Sequence, residues 1–250
     1  MPTADSDSAP DSSPAAYCRD VEAYLCRKND GHLIRIVGPS FELVSRWAGD
    51  GVPLKIAFRG IDRYFERYYR KGPRRRPVRV DFCEADVRDA FDEWRRAVGL
   101  TAGEIGPDPV HDASASARAS HRGPSLPAHL ERAVRRLTSA RVTGMLGEEA
   151  DALIDRVSRE LDGARASARG LRGGARHALV ARLAAIDEEL LRLAHDGLDK
   201  ADQHLLRREA EEELAGFRAS MAVSIYERAR KAAIDRLVRE RCGLPILIVP

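Results

Sequence analysis

Seven histidines are spread through this chain, at positions 32, 111, 121, 129, 177, 195 and 204. A zinc-hydrolase helix needs two histidines one turn apart beside a glutamate, and a di-iron bundle needs Glu-x-x-His pairs. Neither pattern occurs. His195, Asp199 and His204 fall close together around a helix junction, which reads as surface residues beside a turn. The stretch "GLRGGARHALV" at 170–180 is rich in Gly and Arg ahead of a helix, where open backbone amides can hold an anion. It lacks the lysine and hydroxyl pair of a phosphate loop and follows a helix rather than a strand, so it reads as a helix–helix turn. There is no G-x-S-x-G, and none of Cys18, Cys26, Cys83 and Cys242 stands in a C-x-x-C or a recognisable nucleophile setting. Asp86, Asp89, Asp92 and Glu93 lie along one helix with Arg88, Arg95 and Arg96 as ion-pair partners. The expectation is a protein with no catalytic residues, metal or cofactor. A helical enzyme would need several of these groups to converge in one pocket.

The remaining candidate chemistry is in "RYFERYYRKGPRRRPVRV", residues 63–80, with eight basic residues between 63 and 79 and one acid, Glu66. Cations near a helix C-terminus are favoured by its dipole, which accounts for Arg67, Arg70 and Lys71 structurally. Arg74, Arg75 and Arg76 lie between two prolines, must stay exposed, and can each meet a phosphate, as can Arg79. Tyr68 and Tyr69 are adjacent, so only one can face a core; the other, taken as Tyr69, is available to stack on a base. Arg67, Arg70, Lys71, Arg74, Arg75, Arg76, Arg79 and Tyr69 are therefore the candidate nucleic-acid-binding residues. Such a patch binds in a salt-dependent, mostly sequence-blind way. The alternative is a solvated loop, or a surface that meets an acidic protein partner.

What must position these residues is helical. Charged residues make up 32% of the chain and aromatic residues 6%, with Ala, Leu, Arg and Glu dominating the second half. Only five of the 42 basic residues are lysine, as a GC-rich genome writes, so the clustering of Arg is informative and its abundance is not. Residues 17–98 hold 18 basic residues against 13 acids, whereas 125–250 hold 22 against 20. No apolar run reaches the roughly 18 residues of a membrane span, and the acidic, Pro/Ser-rich start is not a secretory signal. A bacterial-type cytoplasm with reduced thiols is expected.

Residues 1–16 read as a disordered tail and 99–124 as a flexible linker, which leaves a module at 17–98 and a second at 125–250. In the first, apolar periodicity predicts helices over about 17–28, 39–48, 54–71 and 81–98, a small four-helix domain with a basic edge. "HLIRIV" at 32–37 is too short to assign as strand or plain extended chain. In the second, Leu130, Val134 and Leu137 mark one helix, and Leu153, Val157 and Leu161 another. Leu179, Leu183, Ile186, Leu190 and Leu193 form a heptad seam, and Leu214, Phe217, Met221, Ile225 and Leu237 predict a last helix of about forty residues. The fold class is all-α, with a long-helix bundle or coiled-coil hairpin at the C-terminus. The apolar end "PILIVP" either tucks against that bundle or docks on another chain.

Within 41–97, Trp47 is followed by Gly51-Val52-Pro53-Leu54 and then Gly60-Ile61-Asp62, and a long helix closes on Gly243-Leu244-Pro245. These features resemble a module of uncharacterised bacterial helical proteins. The pattern of a helix ending in Trp, a short turn and a helix with paired apolar residues is also similar to the DnaD-like helical domain of primosomal proteins. That resemblance implies contact with DNA and supplies no catalytic residue. The combined expectation is a non-enzymatic nucleic-acid accessory protein whose C-terminal helices self-associate or dock a partner. The alternative is a protein–protein adaptor or self-associating scaffold with an acidic partner.

Overall fold

The first helix begins where a serine caps it. Ser13 Oγ accepts the Ala16 N–H at 3.2 Å, and Pro14 occupies the first turn, where its missing N–H costs nothing. The helix α1 therefore spans Pro14–Lys28, starting before Tyr17. The computed structural model describes residues 13–70, 72, 76–100, 126–142, 148–167 and 173–248. Among the described residues there is helix and no strand, so the protein is all-α. The expected disordered tail up to 12 and most of the expected linker fall outside the described residues.

The chain divides into two compact units. The first comprises residues up to Gly106 together with Glu211–Arg230; the second comprises Pro107–Ala210 and Lys231–Pro250. Both boundaries in the C-terminal half fall inside helices.

In the first unit, α1 is followed by α2 (Pro39–Gly49), α3 (Leu54–Tyr69), a 3-10 turn at Val80–Cys83 and α4 (Glu84–Ala97). Pro53 stands at the N-cap of α3. The closest packing joins α3 to α4, and Gly60 makes it possible. A Cβ at Gly60 would lie 2.4 Å from Val87 Cα, a distance no side chain can occupy. Ile56, Ile61, Val87, Ala90 and Trp94 close the core around that crossing. Beside Gly60 and the buried Ile61, Asp62 accepts both the Tyr24 hydroxyl (2.8 Å) and the Lys28 ammonium (2.6 Å), tying α3 to α1. The Gly-Ile-Asp triplet thus has three structural tasks in one turn.

The expected forty-residue final helix is two helices, α8 (Lys200–Leu214) and α9 (Val223–Cys242), separated by a 3-10 turn at Ala215–Phe217. The interruption has a packing cause. It carries Phe217 onto Phe91 and Trp94, with ring centroids 6.3 and 5.7 Å away. Glu213 meanwhile accepts the Trp94 indole N–H at 2.9 Å in a buried bond. Gly51 has φ +74°, and a Cβ there would sit 2.8 Å from the Phe217 ring. Segment 211–230, expected with the C-terminal module, therefore contributes to the core of the first unit.

The second unit is built on α5 (Leu126–Val142), α6 (Glu148–Ser167) and α7 (Gly173–Gly197), with α5 packed on α6 and α6 on α7. The buried face of α7 is Leu183, Ile186, Asp187, Leu190 and Ala194; the expected seam members Leu179 and Leu193 are only half-buried. A carboxylate thus sits in the middle of an apolar stripe. Asp187 is 2% exposed and receives both Arg239 Nη1 (3.1 Å) and Nη2 (2.6 Å) from α9. It also accepts the Leu247 N–H at 2.8 Å, and Arg239 donates to the Pro245 carbonyl at 3.2 Å. The C-terminal segment is therefore tucked onto its own unit as far as it is described, with Leu244 and Leu247 buried.

Candidate nucleic-acid interface

The basic stretch is positioned by α3 on one side and by the 3-10 turn and α4 on the other. Its exit is fixed by a residue with no charge. Asn29 at the end of α1 is buried; its amide donates to Leu25 O (2.9 Å) and Val78 O (3.0 Å), and its oxygen accepts the Val78 N–H (2.7 Å). Ser40 Oγ donates to Asp81 at 2.7 Å, pinning the start of the 3-10 turn to α2. With Val78 and Val80 buried between these anchors, the residues around them keep fixed positions.

On this frame lies an aromatic ladder. The Phe82, Tyr64 and Tyr68 rings follow one another with centroids 6.3 and 5.7 Å apart and planes inclined by only 13° and 22°. Tyr69 meets Tyr68 edge-on at 5.5 Å and leans on the buried Phe65 at 5.9 Å. Phe82 is 58% exposed and Tyr69 43% exposed, so both ends of the row are open to solvent. The Tyr68 hydroxyl donates to the Arg76 carbonyl at 3.3 Å, and the Phe82 N–H donates to the Arg79 carbonyl at 3.2 Å. The backbone of Arg76 therefore stands at the Tyr68 end of the ladder and that of Arg79 at the Phe82 end.

The candidate cations divide into two kinds. Arg67 makes a two-pronged bond to the buried Asp86 (2.8 and 2.7 Å) with its guanidinium 5.4 Å from the Tyr64 ring centre. Arg79 pairs with Asp81 at 2.9 Å. Both charges are partly compensated, and their first effect is to hold α4 and the 3-10 turn in place. Arg63, also in the basic run, is bound by Glu93, whose carboxyl it holds below the usual carboxylate range. Arg70, at the C-cap of α3, and Arg76 are exposed, and among the described residues no acid pairs with either. Lys71, Arg74 and Arg75 lie outside the described residues. Of the expected set, Arg67, Tyr69 and Arg70 lie at the end of α3, and Arg76 and Arg79 meet the aromatic residues through their backbone carbonyls.

Two contributors are invisible in the basic pattern. Phe82 is separated from the tyrosines by a loop and followed by a helix, and only the fold sets it on Tyr64. Asn29 reads as a helix terminator. Its neighbours Asp30 and Gly31, both at positive φ, do end the helix, while its side chain holds the loop.

Two of the residues weighed around the helix junction make structural contacts, and residues 170–172 of the Gly/Arg-rich turn lie outside the described residues. His195 Nε2 meets Asp235 at 2.9 Å within the second unit, and Asp199 caps α8 by accepting the Asp202 N–H at 2.7 Å. Among the described residues no group of three or more His, Cys, Asp or Glu side chains is arranged to hold a metal ion. Burial pushes the Cys83 thiol up to about 12, with Asp86 adding to the effect, and burial also raises Cys18 and Cys242. No described helix is long and apolar enough to cross a membrane. No family model matches the chain, and no curated protein or solved structure matches it either.

Proposed function

We propose that the protein binds nucleic acid without sequence selectivity through the edge that runs from the end of α3 to Arg76, Arg79 and the 3-10 turn. The observation that carries this reading is the aromatic ladder with the Arg76 backbone at one end and the Arg79 backbone at the other, on a helix capped by Arg70. Guanidinium groups supply the phosphate contacts, and Tyr69 lies beside them as a surface for a base or a sugar. Asn29 and Ser40 hold the frame before any ligand arrives, which lowers the ordering entropy that binding would otherwise spend. The protein is read as a binder rather than a catalyst: His195 is engaged with Asp235, and Asp199 is engaged as a helix cap.

Fluorescence anisotropy of labelled oligonucleotides over about 50 to 200 mM salt tests this. Affinity should fall linearly on logarithmic axes. Changing Arg70 and Arg76 together to Ala should flatten the slope by about 1.4 for single strands or about 1.8 for duplex. Absence of binding at the lowest salt would remove the reading.

A second reading, a protein adaptor, is favoured by a different surface. Residues 32–37 alternate, with Ile36 buried and Leu33 and Val37 exposed at 76% and 67%, and Phe41 is exposed on α2 nearby in sequence. Partner capture that survives excess DNA and is lost in a Leu33→Asp/Val37→Asp variant would favour the adaptor.

A further inference from the structure

The ladder itself points to a narrower ligand, an inference that rests on the nucleic-acid reading above. Phosphate contacts alone would need arginines and no exposed aromatic ring. Phe82 is 58% exposed on a turn whose neighbours Val80 and Cys83 are buried. A phenylalanine left more than half exposed forgoes part of the burial that would stabilise the fold. Nor does the 3-10 turn need an aromatic there: Ser40 on Asp81 and the buried Val80 and Cys83 already fix it. What the ring does is extend the Tyr68–Tyr64 row by one step, nearly parallel to Tyr64.

In a duplex the base faces are covered by their neighbours, so a protein ring meets only sugar and phosphate. In a single strand the faces are open, and stacking on an aromatic side chain is tolerant of sequence because every base has a π-face. We infer that this edge takes single-stranded nucleic acid, with a base stacked on Phe82 at one end of the ladder, another on Tyr69 at the other, and the backbone running past Arg79, Arg76 and Arg70. Arg67 is a positioning residue: pinned by Asp86, it lies over Tyr64 and holds the middle ring. Phe82 is then the residue that sets preference for single strands, and the arginines set overall affinity.

The test compares four probes of equal length at one salt concentration: a deoxyribo single strand, the same sequence in ribo form, its DNA duplex, and a deoxyribo strand of abasic sites. Wild type should prefer either natural single strand to the duplex and to the abasic strand, and the better of the two strands names the source of the ligand. Phe82→Ala should weaken binding of the natural single strands about 5- to 140-fold while leaving the abasic strand and the duplex unchanged. Phe82→Trp should restore it, which separates stacking from any disturbance of the turn. Equal affinity for strand and duplex, with Phe82→Ala without effect, would overturn this inference and leave the phosphate-binding reading standing. Failure of wild type to bind any probe would overturn both.

Discussion

Changing Asp187 to Ala should destabilise the second unit by about 3–5 kcal/mol, the range found when one partner of a buried ion pair is removed. The large effect comes from what is left behind. Arg239 is only 14% exposed and loses both of its bonds to the carboxylate, at 3.1 and 2.6 Å. The Leu247 N–H loses its acceptor as well, and an unsatisfied buried donor costs about 1–3 kcal/mol, part of the same total. Against a typical stability of about 5–15 kcal/mol the loss is severe. Urea unfolding followed by circular dichroism reads it as a shift in midpoint. With an m-value of about 1–3 kcal/mol per molar, the shift should exceed about 1 M. Amide exchange at Leu247 should rise in parallel, because the same carboxylate holds the C-terminal segment. Asp187→Asn keeps an acceptor and should fall between the two. The double variant Asp187→Leu/Arg239→Leu, which removes both charges, should recover most of the loss. A cost below about 1 kcal/mol for Asp187→Ala, or a double variant as unstable as the single one, would refute the view that the buried pair acts as a clamp.

Gly60→Ala should lower stability by about 1–3 kcal/mol despite a helix-propensity gain of about 1 kcal/mol, because the new methyl meets the backbone of Val87 and the helices must separate; thermal melting reads this directly. Native Cys83 should resist a thiol reagent at pH 8 and react once the protein is unfolded in urea, since its thiol is held up to about 12 by burial. The same shift carries a sign. The unfolded thiol ionises at about 8.5, so the stability that Cys83 contributes is fully present below that pH and is lost as pH rises towards 12. Cys83→Ser should reduce the alkaline part of that loss, as read from urea midpoints between pH 8 and 11. Glu93 works in the opposite direction: Arg63 lowers its folded pKa, so its small contribution is present above the unfolded value and disappears as pH falls through the folded one.

Helical periodicity made the first unit legible. Its apolar residues recur at steps of three and four, the turns at 49–53 and 29–31 carry the glycines that end helices, and Pro53 opens the next one. Three features were not legible, each for a physical reason. The break at Ala215–Phe217 has no proline and one ordinary glycine; what interrupts the helix is the pull of Phe217 toward Trp94, a contact far away in sequence. Asp187 lies between Leu183 and Leu190 at seam spacing, and a charged residue in such a stripe is a signal that an apolar pattern hides. Its partners Arg239 and Leu247 come from a different helix and from the chain end. The basic edge was visible as a cluster of charge, but which arginines are compensated depends on Asp86, Asp81 and Glu93, whose positions only the packing of α3 on α4 decides. Phe82 joins the tyrosines for the same reason.

Photo-cross-linking tests most directly whether this edge holds nucleic acid. A single strand bearing halogenated pyrimidines is irradiated with the full-length protein, and the adducts are located by mass spectrometry. Adducts on Phe82 or Tyr69 that vanish in excess unlabelled single strand are the expected result. Adducts confined to the second unit, or none under conditions where the strand is bound, would contradict the assignment of the edge.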